Sequence, residues 1–158
     1  MLKRILFLDL EDTLTTPIVN GMANCHLVNL DKVRSLASEF SPDEVHLFSF
    51  AIHSDFDQRA FNVILRNWLE DQFKLKFSFE VPLKASDLIE KAAINKKLMP
   101  SLVSFEDACE FWGKDLCFKL FVKETLRNCE VLLLDDCVDN ESFEFKDINV
   151  KGSRIKID

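Results

Sequence analysis

The stretch Ile5-Leu6-Phe7-Leu8-Asp9-Leu10-Glu11-Asp12-Thr13-Leu14 decides how this chain is read. Its four leading apolar residues predict a strand buried on both faces. The run then stops, and three carboxylates follow at Asp9, Glu11 and Asp12. A parallel strand ending this way carries its acids to the carboxyl edge of a sheet, where open α/β folds keep their ligands. The design returns at Val131-Leu132-Leu133-Leu134-Asp135-Asp136. Side by side, the two strands would gather Asp9, Glu11, Asp135 and Asp136 into one acidic cluster. Carboxylates at close range repel and raise one another's pKa. A cation relieves that repulsion, and an all-oxygen set suits Mg²⁺ best. The plainer alternative is a pair of core strands running into solvated acidic turns.

The rest of the composition narrows the class. At 158 residues the chain is read as a single domain over 1–158, long enough to bury about 70% of its unfolded surface. A hydrophobic content of 47% excludes a disordered chain. The net charge of −7 argues against a broad nucleic-acid-binding face, leaving only a local basic patch open. With 3 Gly and 4 Pro, a turn-rich all-β fold is disfavoured. The 5 cysteines are odd in number and form no C-x-x-C pair, so neither a zinc site nor a disulfide framework is expected. Asp9 cuts the N-terminal apolar run short of a signal peptide. No apolar run approaches the ~20 residues of a membrane span. The expectation is a cytoplasmic protein without membrane contacts, of undetermined oligomeric state.

In chain order, a strand over 4–9 is followed by an irregular segment at 15–30, with Pro17, Asn20 and Gly21 as turn signals for a flap. Val33, Leu36, Ala37 and Phe40 lie at helical spacing, with Asp31 as cap. A second strand covers 45–50 and delivers Ser49. Phe61, Ile64, Leu65, Trp68, Leu69 and Phe73 form a helical stripe opened by Asp55 or Asp57. A weak alternation over 74–81 predicts a short strand. Helices are expected around 85–93, over 104–112 (a capping box at Ser104 and Asp107) and over 115–127. The chain is polar after Asp136 until a terminal strand or hairpin at 148–157. Strands alternating with helices predict an α/β fold with a mostly parallel sheet covered on both faces. Residues 52–112 are either a helical insert or one side of the core.

These stretches, in this order, resemble the haloacid dehalogenase superfamily of phosphotransferases. Its first motif, an apolar strand followed by Asp-x-Asp-x-Thr, is matched by Asp9-Leu10-Glu11-Asp12-Thr13. Its second, a strand ending in Ser or Thr, is matched at Ser49. Its third, a Lys opening the helix before the last motif strand, is matched by Lys114, with Lys119 the weaker candidate. Its fourth, a strand ending in an acidic pair, is matched at Asp135-Asp136, with Asp139 and Asn140 close behind. The resemblance implies a three-layer Rossmann-like fold with a minimal cap.

It also implies a chemistry. Asp9 would be the nucleophile that forms an aspartyl-phosphate, splitting one hard displacement into two. Mg²⁺ would be held by Asp9, the backbone carbonyl of Glu11, Asp135 and Asp136. Ser49 and Lys114 would hold the transferring phosphoryl group. Glu11 would be the general acid and base. The family has Asp at position 11 and commonly Gly at position 12, so Glu11 and Asp12 are departures. The short segments between motifs imply an open site for a phosphorylated small molecule or macromolecule. Two other readings stand beside the phosphatase: an impaired module that binds phosphate or a partner, and a phospho-acceptor receiver domain. The receiver places its acidic pair on the first strand and its Lys last, the reverse of the order here. Ser49 and Lys114 each have an ordinary reading, as a strand-end serine and a solvated lysine. His53 reads as a surface histidine and Cys137 as a small buried residue.

Overall fold

The computed structural model describes residues 1–19, 21–49, 51–52, 54–78 and 113–158. Phe50, His53, the expected helices at 85–93 and 104–112, and the end of the expected strand at 74–81 lie outside them.

Among these residues five strands form one sheet: β1 (Lys3–Leu8), β2 (Glu44–Leu47), β3 (Cys129–Asp135), β4 (Glu141–Phe145) and β5 (Val150–Lys156), in the order β2-β1-β3-β5-β4. All neighbouring pairs are parallel except β4 with β5, which form an antiparallel hairpin at one edge. The fold is therefore α/β with a mostly parallel sheet. The two acidic strands, β1 and β3, are direct neighbours, with Leu8 opposite Leu134.

Alternation along these strands makes the layers. Leu6, Leu8, Leu132 and Leu134 face one side, where they pack with Val33 and Ala37 of α1 (Leu30–Phe40). On the same side lie α2 (Asp55–Ala60), a π-helical turn (Phe61–Leu65) and α3 (Arg66–Phe73), which contribute Phe61, Leu65, Leu69 and Phe73. Ile5, Phe7, Val131 and Leu133 face the other side, where Cys117, Phe118, Phe121 and Val122 of α4 (Lys114–Thr125) cover them. Edge-to-face contacts join Phe7 to Phe48, Phe118 and Phe121, so phenylalanine fills much of this layer. The described part of 52–112 thus serves as one side of the core. No helix among the described residues is long and apolar enough to cross a membrane.

Several boundaries depart from expectation for local reasons. α1 is entered through Asn29, in the left-handed region at φ 54°, and Asp31 lies in its first turn instead of capping it. Ser54 caps α2, with Asp57 completing a reciprocal capping box, so Asp57 supports the cap without being it. β2 ends at Leu47, before Ser49. The described residues of 74–81 form no strand. Lys74 is the left-handed cap of α3, the Phe77 N–H is held by Glu70, and Ser78 exchanges hydrogen bonds with the Val45 backbone. β4 falls in a stretch that reads as polar. Its half-exposed Phe143 lies over Gly152, where a Cβ would stand 2.2 Å from the ring. Only glycine admits that ring.

Candidate functional site

Strand parity aims the acids. Ile5 and Phe7 face α4, so Asp9, two residues on, points the same way; Val131, Leu133 and Asp135 repeat the pattern. The Asp9 N–H donates to the Leu134 carbonyl at 3.0 Å, which extends the ladder and holds Asp9 beside Asp135. On α4, Lys114 precedes Cys117, Phe118, Phe121 and Val122 at helical spacing, placing it on the stripe that faces the sheet. Lys119 is off that stripe and pairs with Glu141. The structure thus distinguishes the two lysines: Lys114 meets the acidic edge and Lys119 does not.

Lys114 Nζ donates to Asp9 Oδ1 at 2.9 Å and forms a second, closer ion pair with Asp135 Oδ2. Exposure is 5% for Asp9, 6% for Lys114 and 0% for Asp135, so this is a buried charge cluster, against the reading of Lys114 as a solvated lysine. Its Nζ also lies 5.8 Å from the centre of the Phe48 ring. Burial pushes the Asp9 carboxyl up to about 7, with Lys114 opposing and Asp135 and Asp136 adding to the rise. Asp135 is raised too, chiefly by burial, against the pull of Lys114. Burial pulls the Lys114 ammonium down, but its two carboxylates more than offset this and hold it above its ordinary value.

Thr13 is a site residue whose role the sequence reading left unassigned. Its hydroxyl donates to Asp9 Oδ2 at 3.1 Å and accepts the Asp136 N–H at 3.1 Å. A single side chain therefore ties the nucleophile candidate to the start of the second acidic loop. The local chain explains how it gets there. Leu14 and Thr15 both donate to the Leu10 carbonyl, closing a helical turn right after the strand. Asp12 sits in that turn at φ 61°, a left-handed conformation that glycine enters without cost and aspartate tolerates. The departure at position 12 thus falls on a residue type the backbone can accept.

The flap follows. Thr16 donates to the His26 carbonyl and Val28 to the Leu14 carbonyl, so its two ends pair across the 15–30 segment. Glu11 belongs to this unit: its Oε2 accepts the Ile18 N–H at 2.8 Å. The flap therefore holds the longer carboxylate side chain directly. Ser49 is buried one residue beyond Phe48, whose N–H donates to the Leu8 carbonyl, and its hydroxyl accepts the Ala51 N–H at 3.2 Å. It shares the carboxyl edge with Asp9.

Asp136 is half-buried, and Cys137 is exposed, not buried as its residue type suggested. The turn after β3 directs it outward, with its N–H given to Asp135 Oδ1 at 2.8 Å and its thiol 3.5 Å from Asp136 Oδ2. Ligand atoms of Asp135, Asp136 and Cys137 all lie within 4.8 Å of one another. Asp9 and Asp135 share the Lys114 ammonium, and Asp136 lies beyond it next to Asp135; carboxylate oxygens are the donors a hard divalent ion takes. The Cys137 thiol is the wrong donor for such an ion. A separate cavity of about 680 Å³, lined by Arg34, Ser38, Ser41, Lys74 and Lys76, lies at the opposite, amino-terminal end of β2 and takes no part in this cluster.

No protein-family model, curated protein or solved structure matches this chain, so the resemblance rests on its own residues and their geometry.

Proposed function

We propose that this chain is a phosphohydrolase of the haloacid dehalogenase type, acting through an aspartyl-phosphate at Asp9. The observation that carries the reading is the buried triad Asp9–Lys114–Asp135, assembled from three separate motifs at the carboxyl edge of a parallel sheet. Lys114 and Thr13 fix the two oxygens of Asp9, leaving it oriented for attack on a phosphorus atom. In the first step an Asp9 oxygen forms the bond to phosphorus while the bond to the leaving oxygen breaks, and Glu11 gives that oxygen its proton. In the second, water attacks the same phosphorus, Glu11 takes the water proton, and the Asp9 carboxylate and inorganic phosphate are released. Lys114 neutralises charge on the phosphoryl oxygens, and the Ser49 hydroxyl is the neutral donor on the same edge. Asp9, Asp135, Asp136 and the Glu11 carbonyl would hold Mg²⁺, which supplies charge neutralisation between the anionic nucleophile and the anionic phosphate.

The Ile18 N–H contact to Glu11 supports turnover over an impaired binding module, because the flap is built around the longer side chain. A phosphate-release screen over phosphomonoesters, with and without Mg²⁺ and with Asp9→Asn as blank, tests the reading. Release that depends on Mg²⁺ and on Asp9, reduced by Glu11→Asp and abolished by Glu11→Gln, is expected. An inactive wild type rescued by Glu11→Asp would favour the impaired module.

A further inference from the structure

We propose that Asp115 and Arg154 are positioning residues for Lys114, holding the first turn of α4 and the loop after β3 to the same strand. The proposal rests on the reading of Lys114 as the cation of the reacting site. Arg154 sits on β5 opposite Leu133, two residues before the register reaches Asp135. It is 4% exposed. Its Nη1 lies 3.2 Å from Asp115 Oδ2, and its Nη2 is paired with Glu141 on β4. The same Asp115 Oδ2 accepts the Asp139 N–H at 3.2 Å. One carboxylate, adjacent in sequence to Lys114, therefore grips both the strand beside β3 and the loop that carries Asp136.

Two features argue that this arrangement sets position. α4 is entered through Gly113, which has no side chain to cap it, so the cap position does not fix the first turn. The ion pair is also an expensive way to gain stability: Asp115 Oδ1 and Arg154 Nε are buried without a hydrogen-bond partner among the described residues. What the pair supplies is a fixed distance between the start of α4 and the acidic edge. Glu141, the other partner of Arg154, grips α4 at Lys119, beyond its first turn, and so serves as the comparison for a contact further along the helix.

The test reads the Lys114 ammonium directly, by ¹H–¹⁵N correlation of lysine side chains in the metal-free full chain, with Lys114→Met to assign the signal. The wild type should give a protected, slowly exchanging ammonium resonance. Asp115→Ala and Arg154→Met should shift that resonance or broaden it away while the backbone spectrum stays native, and Arg154→Lys should recover it in part. Glu141→Gln, which loosens α4 only at Lys119, should move it less. If Asp115→Ala does not fold, Asp115→Asn, which removes the charge facing Arg154 at constant size, is read the same way. An unmoved resonance in folded Asp115 and Arg154 variants would overturn the proposal, as would an equal response to Glu141→Gln. In phosphate release, the same Asp115 and Arg154 variants should lose about 10–100-fold in kcat with little change in KM. A wild type without phosphatase activity would remove the functional reading alone, because the ammonium signal decides the positioning role by itself.

Discussion

Lys114 Nζ lies 2.9 Å from Asp9 Oδ1, a hydrogen bond that closes 105 residues of chain onto the end of β1. It joins the helix-start lysine to the first acid of the opening motif inside a region both residues leave almost no surface on. Removing one partner of such a cluster strands the other charges in the interior.

Lys114→Met should therefore destabilise the metal-free protein by about 3–5 kcal/mol at neutral pH, the usual cost of an uncompensated buried charge. Without the opposing ammonium the Asp9 carboxyl rises further than in the wild type, so the variant gains more from protonation and the loss should shrink toward pH 5. Urea denaturation at the two pH values measures this. A loss independent of pH would mean that packing of the Lys114 stem, not its charge, is what matters.

Asp9 also makes a prediction about the wild type. Its folded carboxyl titrates at about 7 against an ordinary value of 3.8, so the folded state binds the extra proton between those limits. Stability contributed by that proton is present below about pH 4 and is lost as pH rises toward 7. Asp135, raised in the same direction, adds to the slope. In chelator-treated protein, Asp9→Asn should flatten the decline in melting temperature over this window. A wild-type curve that rises steadily from pH 4 to 7, unaltered by Asp9→Asn, would contradict the burial of these charges.

Magnesium should act in the opposite sense to that repulsion. A ligand present at a hundredfold its Kd stabilises the folded state by about 2.7 kcal/mol, so saturating Mg²⁺ should raise the melting temperature. Asp136→Ala should remove the rise while leaving the backbone contact to Thr13 intact. A full Mg²⁺ response in Asp136→Ala would place the ion elsewhere.

Cys137 should be a poor nucleophile despite its exposure. Partial burial and the Asp136 carboxylate push its thiol up to about 11, so little thiolate exists at pH 8. Alkylation by iodoacetamide should be slower than for an unperturbed cysteine, and Asp136→Asn should speed it. Equal rates in the two proteins would show that Asp136 does not govern the thiol.

The sequence made the strands legible because β1 and β3 are buried on both faces and read as unbroken apolar runs. It made Asp9, Asp135 and Lys114 legible because each ends or opens an element with a clear pattern. What it hid depends on three-dimensional partners. Thr13 bridges two loops that are 123 residues apart, a contact with no local signature. β4 has an unremarkable polar alternation and exists because β5 offers it an edge, with Gly152 leaving space for Phe143. Over 74–78 the expected strand does not form for a related reason: Glu70, the cap of α3 and the β2 backbone take up the hydrogen-bonding groups first. The choice between Lys114 and Lys119 required knowing which stripe of α4 faces the sheet.

The central claim, covalent chemistry at Asp9, is tested most directly by mass spectrometry of acid-quenched protein after exposure to acetyl phosphate and Mg²⁺. Acetate leaves without needing a general acid, so Glu11→Gln should form the phosphoenzyme yet fail to hydrolyse it. The account predicts one added phosphoryl group on the peptide containing Asp9 in Glu11→Gln, less in the wild type, and none when Asp9→Asn is also present. A phosphoryl group on another residue, or one that persists when Asp9 is replaced by Asn, would contradict it.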